Sequence, residues 1–232
     1  MTTPDRPLGT VLVTGGSSGL GAAVVQAVLE GGGQPVVVDL RPPAAGVDHE
    51  LADLSDARGA EAAVARLAER SGGLDAVVTA AGTDACGVLA EVPGDTWDRV
   101  VMVNLIGTAA VVRAALPYLL ETQGRVVTVA STLGLRALSD ATAYCASKFG
   151  VVGFTRALTI ELAGRVGVTL LVPGGMSTAF FDDRDPQYKP GPDAKLNRPD
   201  DVAATVVFAL RQPPGCEVRE LIVTPSTEPS WP

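Results

Sequence analysis

The chain has 232 residues, 47% of them hydrophobic and only 19% charged, which supplies the apolar surface for one α/β domain and argues against disorder. Aromatic residues are just 4%, so the core must be built from Ala, Val and Leu, as in a parallel sheet covered by helices. A net charge of −8 argues against nucleic acid and anionic membrane as partners.

Short Val-rich runs alternate with Ala-rich segments of helical length. TVLVT (10–14) reads as a strand, followed by a helix from about Gly19 to Glu30. PVVVDL (35–40) and HEL (49–51) read as strands two and three, with a helix over about 56–70. LDAVVTA (74–80) is the fourth strand, and one long helix of about 96–121 follows it. RVVTVAS (125–131) is the fifth strand, leading to a helix over about 141–164. VGVTLLV (166–172) is the sixth, and residues 199–211 form a helix with Pro199 near its start. RELIVT (219–224) is the last strand. The strands are too apolar to have a wet face. Their alternation with helices predicts a single doubly wound Rossmann domain over 1–232, with a parallel sheet of about seven strands and helices on both faces. Ligands of such a fold bind at the carboxyl ends of the strands. Residues 173–198, rich in Gly, Pro and charge, follow the sixth strand, and about 176–198 are expected to form a lid.

Three cysteines, Cys86, Cys145 and Cys216, form no CxxC, and the sole histidine, His49, falls on a probable strand. Disulfide, zinc and Ser-His-Asp hydrolase chemistry are therefore not expected, and no metal ligand is assigned. No apolar leader opens MTTPDRPLGT and no uninterrupted 18-residue apolar stretch follows, so a cytoplasmic protein is expected, with no membrane partner.

The first strand runs into TGGSSGLG (14–21). Gly15, Gly19 and Gly21 permit a tight turn and close backbone approach. The free N–H groups of the next helix point at whatever fills that turn, which suits a pyrophosphate. Asp39 ends the second strand, where a carboxylate accepts ribose hydroxyls and repels a 2′-phosphate. NAD is therefore favoured, while Arg41, two residues on, leaves NADP possible. Tyr144 and Lys148, in AYCASK, lie one helical turn apart on one face. Taken alone such a pair is ordinarily a snorkelling lysine beside a half-buried tyrosine.

Together these segments resemble the short-chain dehydrogenase/reductase family over nearly the whole chain. TGGSSGLG matches its TGxxxGxG and AYCASK its YxxxK. Ser131 lies 13 residues before Tyr144, where the family's catalytic serine falls, and Asn104 in VMVNLIG matches its fourth catalytic residue. Asp53 and Leu54 match the pair bordering the adenine, and PGGMST (173–178) matches PG-x-x-x-T. The resemblance implies catalytic Asn104, Ser131, Tyr144 and Lys148. It implies cofactor contacts from Gly15, Ser17, Ser18, Gly19, Leu20, Gly21, Asp39, Asp53, Leu54, Ala81, Gly82, Tyr144, Lys148, Pro173, Gly174, Met176 and Thr178. Lys148 would also bond the nicotinamide ribose, Asn104 hold a relay water and Ser131 orient the substrate oxygen. One departure stands out: Thr79 in TAAG replaces the family's asparagine, and its hydroxyl is expected to brace the sheet in part.

A free phenol titrates near 10, and the Lys148 ammonium is expected to bring Tyr144 down to serve as acid/base. The expected activity is hydride transfer between NAD(H) and a secondary alcohol or ketone. A catalytically silent dinucleotide-binding regulator, an NADP(H)-preferring ketoreductase and an epimerase or dehydratase remain alternatives. Leu133, Leu135, Met176, Phe180 and Phe181 are the expected substrate walls, with Asp182 to Asp185 a solvated lid surface. The long helices after strands four and five carry few charges, which predicts a partner subunit over them, as a homodimer or homotetramer. The EPSWP tail is a further candidate for that contact.

Overall fold

The computed structural model describes residues 6–228. Seven parallel strands form one sheet in the order β3-β2-β1-β4-β5-β6-β7. They are β1 (Thr10–Thr14), β2 (Gln34–Asp39), β3 (Asp48–Leu51), β4 (Ala76–Thr79), β5 (Arg125–Val129), β6 (Gly167–Pro173) and β7 (Glu220–Val223). Six helices connect them: α1 (Gly19–Glu30), α2 (Ala57–Ser71), α3 (Gly94–Val101), α4 (Thr108–Thr122), α5 (Thr142–Glu161) and α6 (Pro199–Leu210).

The strand alternation explains the two layers. Leu12, Val36, Val38, Val77 and Val126 point to one side and pack with α2, α4 and α5. Val11, Val13, Val37, Val78 and Val127, one residue out of phase, point to the other and pack with α1 and α6. The five inner strands feed both cores and show no polar face, whereas the edge strands β3 and β7 are partly exposed. The chain winds outward from β1 in both directions, and the strand order reverses between β1 and β4. That reversal opens a crevice at the carboxyl edge of the sheet.

The sequence predicts one helix over 96–121; the structure divides it. A π-helical segment, Met102–Gly107, separates α3 from α4 and carries Asn104. The helix crosses the β3–α2 loop closely here: a Cβ on Gly107 would fall 2.6 Å from the Leu54 carbonyl oxygen. Asn104 also fastens the segment to the β4 exit loop on the other side. π-bulges commonly sit at functional positions.

Between β6 and α6 the chain forms two short 3₁₀ turns, Ala179–Phe181 and Pro186–Tyr188. The two ends of this excursion are tied together by a bridge between Met176 and Asn197. Asn197 accepts at its carbonyl from Ser177 N and donates its own N–H to Gly175 O, both at 2.9 Å, and its Nδ2 reaches Val223 O at 2.9 Å. Of the EPSWP tail, Glu228 accepts from Gly175 N at 3.1 Å, beside the crevice rather than on α4 or α5. Residues 229–232 lie outside the described residues.

Candidate active site

Three elements meet at the crevice, beginning with the glycine turn after β1. Gly15 has φ +72°, and a Cβ there would lie 2.8 Å from Ala81 Cα, so the turn is pressed against the β4 exit. A Cβ on Gly21 would fall 2.1 Å from Gly15 O, which only glycine allows. No side chain caps the start of α1. Ser17 Oγ is buried beside the turn with no hydrogen-bond partner. An unsatisfied hydroxyl and helix N–H groups that no side chain caps fit the diphosphate of a dinucleotide. Asp39 stands next to them: Oδ2 accepts from Ser17 N at 3.0 Å and Oδ1 from Arg41 N at 3.1 Å. The carboxylate is thus fixed where an adenosine ribose would meet it.

Asp53, expected to border the adenine, accepts from Ser55 N and Oγ at 2.9 and 2.8 Å, and from Arg99 Nη2 at 3.0 Å. Burial works against its charge, but these bonds hold the carboxyl below its usual range. The side chains of Leu54 and Leu20 are turned into the two cores, so each would meet a ligand through its backbone.

The second element is the β4 exit with the π segment. Asn104 Oδ1 accepts from Thr83 N at 2.8 Å, and Nδ2 donates to Thr83 O at 2.9 Å and Ser147 Oγ at 3.0 Å. Ser147 Oγ in turn donates to Tyr144 O at 2.8 Å. Ser147, three residues from Tyr144, therefore links the π segment to α5; sequence reasoning missed it. Its only signal was a small polar residue inside a buried helix. The Cβ position of Gly82 lies 3.4 Å from Asn104 Oδ1 and 3.7 Å from Lys148 Nζ, so the β4 exit loop runs in van der Waals contact with both side chains.

The third element is α5. Lys148 is 4% exposed; its Nζ donates to Val129 O at 2.9 Å and stands 5.6 Å from the centre of the Tyr144 ring. Ser131, at the β5 exit, accepts from Leu133 N at 3.1 Å and hydrogen-bonds the Tyr144 hydroxyl. The electrostatics of the pair run opposite to the expectation that Lys148 brings Tyr144 down. Burial pushes Tyr144 well above the ordinary phenol value, Asp84 adds to that, and Ser131 and Arg184 oppose it. Burial also pulls Lys148 down to about 8, against the carboxylate of Asp84. In this structure desolvation of both groups outweighs their mutual effect.

The 174–198 segment approaches both the glycine turn and Tyr144. Thr178 Cβ lies 3.6 Å from the Cβ position of Gly19, bringing the segment across to the glycine turn. Pro173 ends β6, Gly174 N donates to Val223 O at 2.9 Å, and Met176 packs on the α1/α6 side. Phe180 lies 5.8 Å from the Tyr144 ring, centre to centre, with Phe181 edge-on behind it. The expectation for 182–185 holds for three of the four: Asp182, Asp183 and Asp185 are exposed. Arg184 instead turns inward to Asp84 at 2.6 Å. Neither partner is part of a motif, and they are 100 residues apart, so no local pattern flags them.

The comparisons decide the family. The short chain dehydrogenase profile matches residues 9–189. The chain belongs to the short-chain dehydrogenase/reductase family. It is 31% identical to L-fucose dehydrogenase of Mus musculus, with 94% of this chain and 88% of that one covered. It is 33% identical to the (2S)-[(R)-hydroxy(phenyl)methyl]succinyl-CoA dehydrogenase subunit of Thauera aromatica, covering 85% and 87%. Among solved structures, the alcohol dehydrogenase of Thermococcus sibiricus complexed with 5-hydroxy-NADP superposes with TM-score 0.80 at 26% identity, covering 93% and 96%. The ligand-free aldohexose dehydrogenase of Thermoplasma acidophilum shares the fold, with TM-score 0.83 at 22% identity over 93% and 92%. As members of this family do, the chain is an oxidoreductase that uses NAD(P).

Proposed function

We propose that the chain is an NAD(H)-dependent dehydrogenase that interconverts a secondary alcohol and a ketone, with Tyr144 as acid/base. The observation that carries this reading is the convergence of Asn104, Ser131, Tyr144 and Lys148 on the crevice beside the glycine turn. NAD(H) would be held by Gly15 to Gly21, Asp39, Asp53, Ala81, Gly82, Lys148 and the 173–178 segment, and supplies the hydride exchange when bound. Asp39 supports NAD(H) over NADP(H), because a 2′-phosphate would face a fixed carboxylate. The remaining steps belong to the chain. Tyr144 carries its proton at the hydroxyl, ready to give it to a ketone oxygen, and takes one back from an alcohol. Ser131 orients that oxygen. Lys148 keeps a cation near the phenolate, and Asn104 holds the water of a proton relay.

The region 1–232 acts in this reading as one dinucleotide-binding domain, with 176–198 as its lid and Phe180, Phe181, Leu133, Leu135 and Met176 as apolar walls. The protein is read as cytoplasmic and as a homodimer or homotetramer. Because two of the relatives named above act on sugars, L-fucose and aldohexoses belong in the substrate panel beside simple alcohols and ketones.

The test is NADH and NADPH turnover over that panel, in wild type and Tyr144→Phe. Wild type should turn over at least one substrate, with NADH preferred. Tyr144→Phe should lose essentially all turnover while NADH affinity stays within a fewfold of wild type. Binding of NADH with no turnover across the panel would favour a silent regulator, and retained NAD with no net redox change an epimerase or dehydratase.

A further inference from the structure

The β4 exit loop and the lid meet at one ion pair that the family motifs do not include. Arg184 Nη2 donates to Asp84 Oδ2 at 2.6 Å, and the two side chains are 18% and 7% exposed. A pair this dry is unlike a surface contact, because either charge left alone there is strongly unfavourable. Both partners are anchored. Asp84 Oδ1 accepts from Ala85 N at 2.7 Å, and Oδ2 also takes Cys86 Sγ at 3.3 Å. The Arg184 guanidinium lies 5.1 Å from the centre of Phe180 and 4.6 Å from that of Phe181, and Nη1 reaches Tyr188 O at 3.4 Å. Phe180 is the ring that packs on Tyr144. Asp84, Arg184, Phe180 and Tyr144 thus stand in series, from the sheet edge through the lid to the reacting hydroxyl.

The charges in that series act on the tyrosine in opposite directions. Tyr144 is faced by Lys148 and Cys145 from α5, Ser131 from the β5 exit, Asp84 from the β4 exit and Arg184 from the lid; Cys86 bonds Asp84, and Asp140 bonds Tyr188. Asp84 disfavours the phenolate and Arg184 favours it. A carboxylate so close to a proton-transfer tyrosine is tolerable only while it is neutralised.

We propose that Asp84 and Arg184 are positioning residues for Tyr144: the pair seats Phe180 against the tyrosine ring, and Arg184 screens the Asp84 carboxylate from its hydroxyl, so that Tyr144 is competent only beneath a closed lid. This rests on the reading of Tyr144 as the acid/base. Lid closure and readiness of the phenol are then one event, because the residue that latches the lid is the one that cancels the opposing charge.

Two readouts test it without turnover. The first is the tyrosinate absorbance of Tyr144, taken as the difference between each protein and its Tyr144→Phe counterpart across pH. Asp84→Asn keeps an acceptor for Arg184 and removes the charge, so the transition should move down by about one pH unit. The second is chymotryptic cleavage after Phe180, Phe181 and Tyr188. Arg184→Lys keeps the charge and loses the fork and the stacking, so cleavage should become several-fold faster. Where turnover is available, the basic limb of alcohol oxidation should shift with the tyrosinate transition in Asp84→Asn, and KM should rise more than kcat falls in Arg184→Lys. An unmoved transition in Asp84→Asn, or unchanged cleavage in Arg184→Lys, overturns the proposal. Arg184 lies outside the helices and strands, so its variant decides the matter alone should Asp84→Asn not fold. An inactive wild type would instead count against the proposed reaction, and the two failures are told apart.

Discussion

Tyr144 and Lys148 both suffer from burial, and the cost to Lys148 falls on the stability of the whole chain. A lysine whose value in the folded state is about 8 rather than 10.5 binds its proton less well folded than unfolded. Between those two values the unfolded chain holds more protons, so stability rises with pH. Below pH 8 the charged, desolvated ammonium costs about 3 kcal/mol, because each pH unit between the two values is worth about 1.4 kcal/mol. Tyr144, pushed upward, contributes little until about pH 10, where the unfolded phenol begins to ionise and the effect on stability takes the opposite sign. Lys148→Met should therefore be inactive yet more stable at pH 7. The gain should be about 1–2 kcal/mol once the lost bond to Val129 O is counted against it. The rise in Tm of wild type between pH 8 and 10 should flatten in the variant. A variant less stable than wild type at pH 7 would mean that Lys148 is held there by packing rather than kept for chemistry.

The strand and helix elements were mostly legible in the sequence because the five inner strands are apolar runs that feed two cores, while most of the helices are Ala-rich. The four residues proposed as catalytic could be placed through the family resemblance, since the one-turn spacing of Tyr144 and Lys148 is ordinary by itself. What could not be read depends on contacts between distant segments. The π segment arises because Gly107 must pass Leu54 while Asn104 grips Thr83, and neither contact leaves a period in the sequence. The Ser147 link and the Asp84–Arg184 pair are of the same kind, and the pKa directions needed the depth of burial. Thr79 shows the limit most clearly. Its hydroxyl was expected to brace the sheet in place of asparagine; instead Thr79 Oγ1 is buried with no partner. The neighbouring strand does the bracing, where Thr14 Oγ1 accepts from Ala81 N at 3.2 Å. Thr79→Val keeps the β-branched shape and removes an unsatisfied hydroxyl. It should stabilise the chain by about 1 kcal/mol, or about 3 °C in Tm for a chain of this size, with activity unchanged. A fall in Tm would show that the hydroxyl has a partner in solution.

For the whole molecule the open question is what covers its apolar helices. The run from Gly94 to Thr122 is long and apolar enough to cross a membrane by length and composition, but half of its most apolar window is buried within this fold. It packs on α2 and α5, and its outward residues include Met102, Ile106 and Leu120. On α5, Phe149, Gly153 and Ile160 are exposed along one face, Phe149 at 45% and Ile160 at 77%. A glycine in the middle of a helix costs about 0.5–1 kcal/mol relative to alanine. A Cβ at Gly153 would meet nothing within 4 Å, so the fold of one chain gives no reason for it. A second copy packed closely on this face would. Gly153→Glu separates the two readings because it acts on them with opposite sign. Glutamate is the better helix former, so a lone chain should gain stability by a few tenths of a kcal/mol. An assembly through this face would instead have to bury a carboxylate, in a protein already carrying a charge of −8, and should dissociate. Light scattering should then find the variant at the mass of one chain, or half the wild-type mass if a second interface persists, with the fold intact by circular dichroism. A variant that keeps the wild-type mass and melts higher would establish this face as open surface.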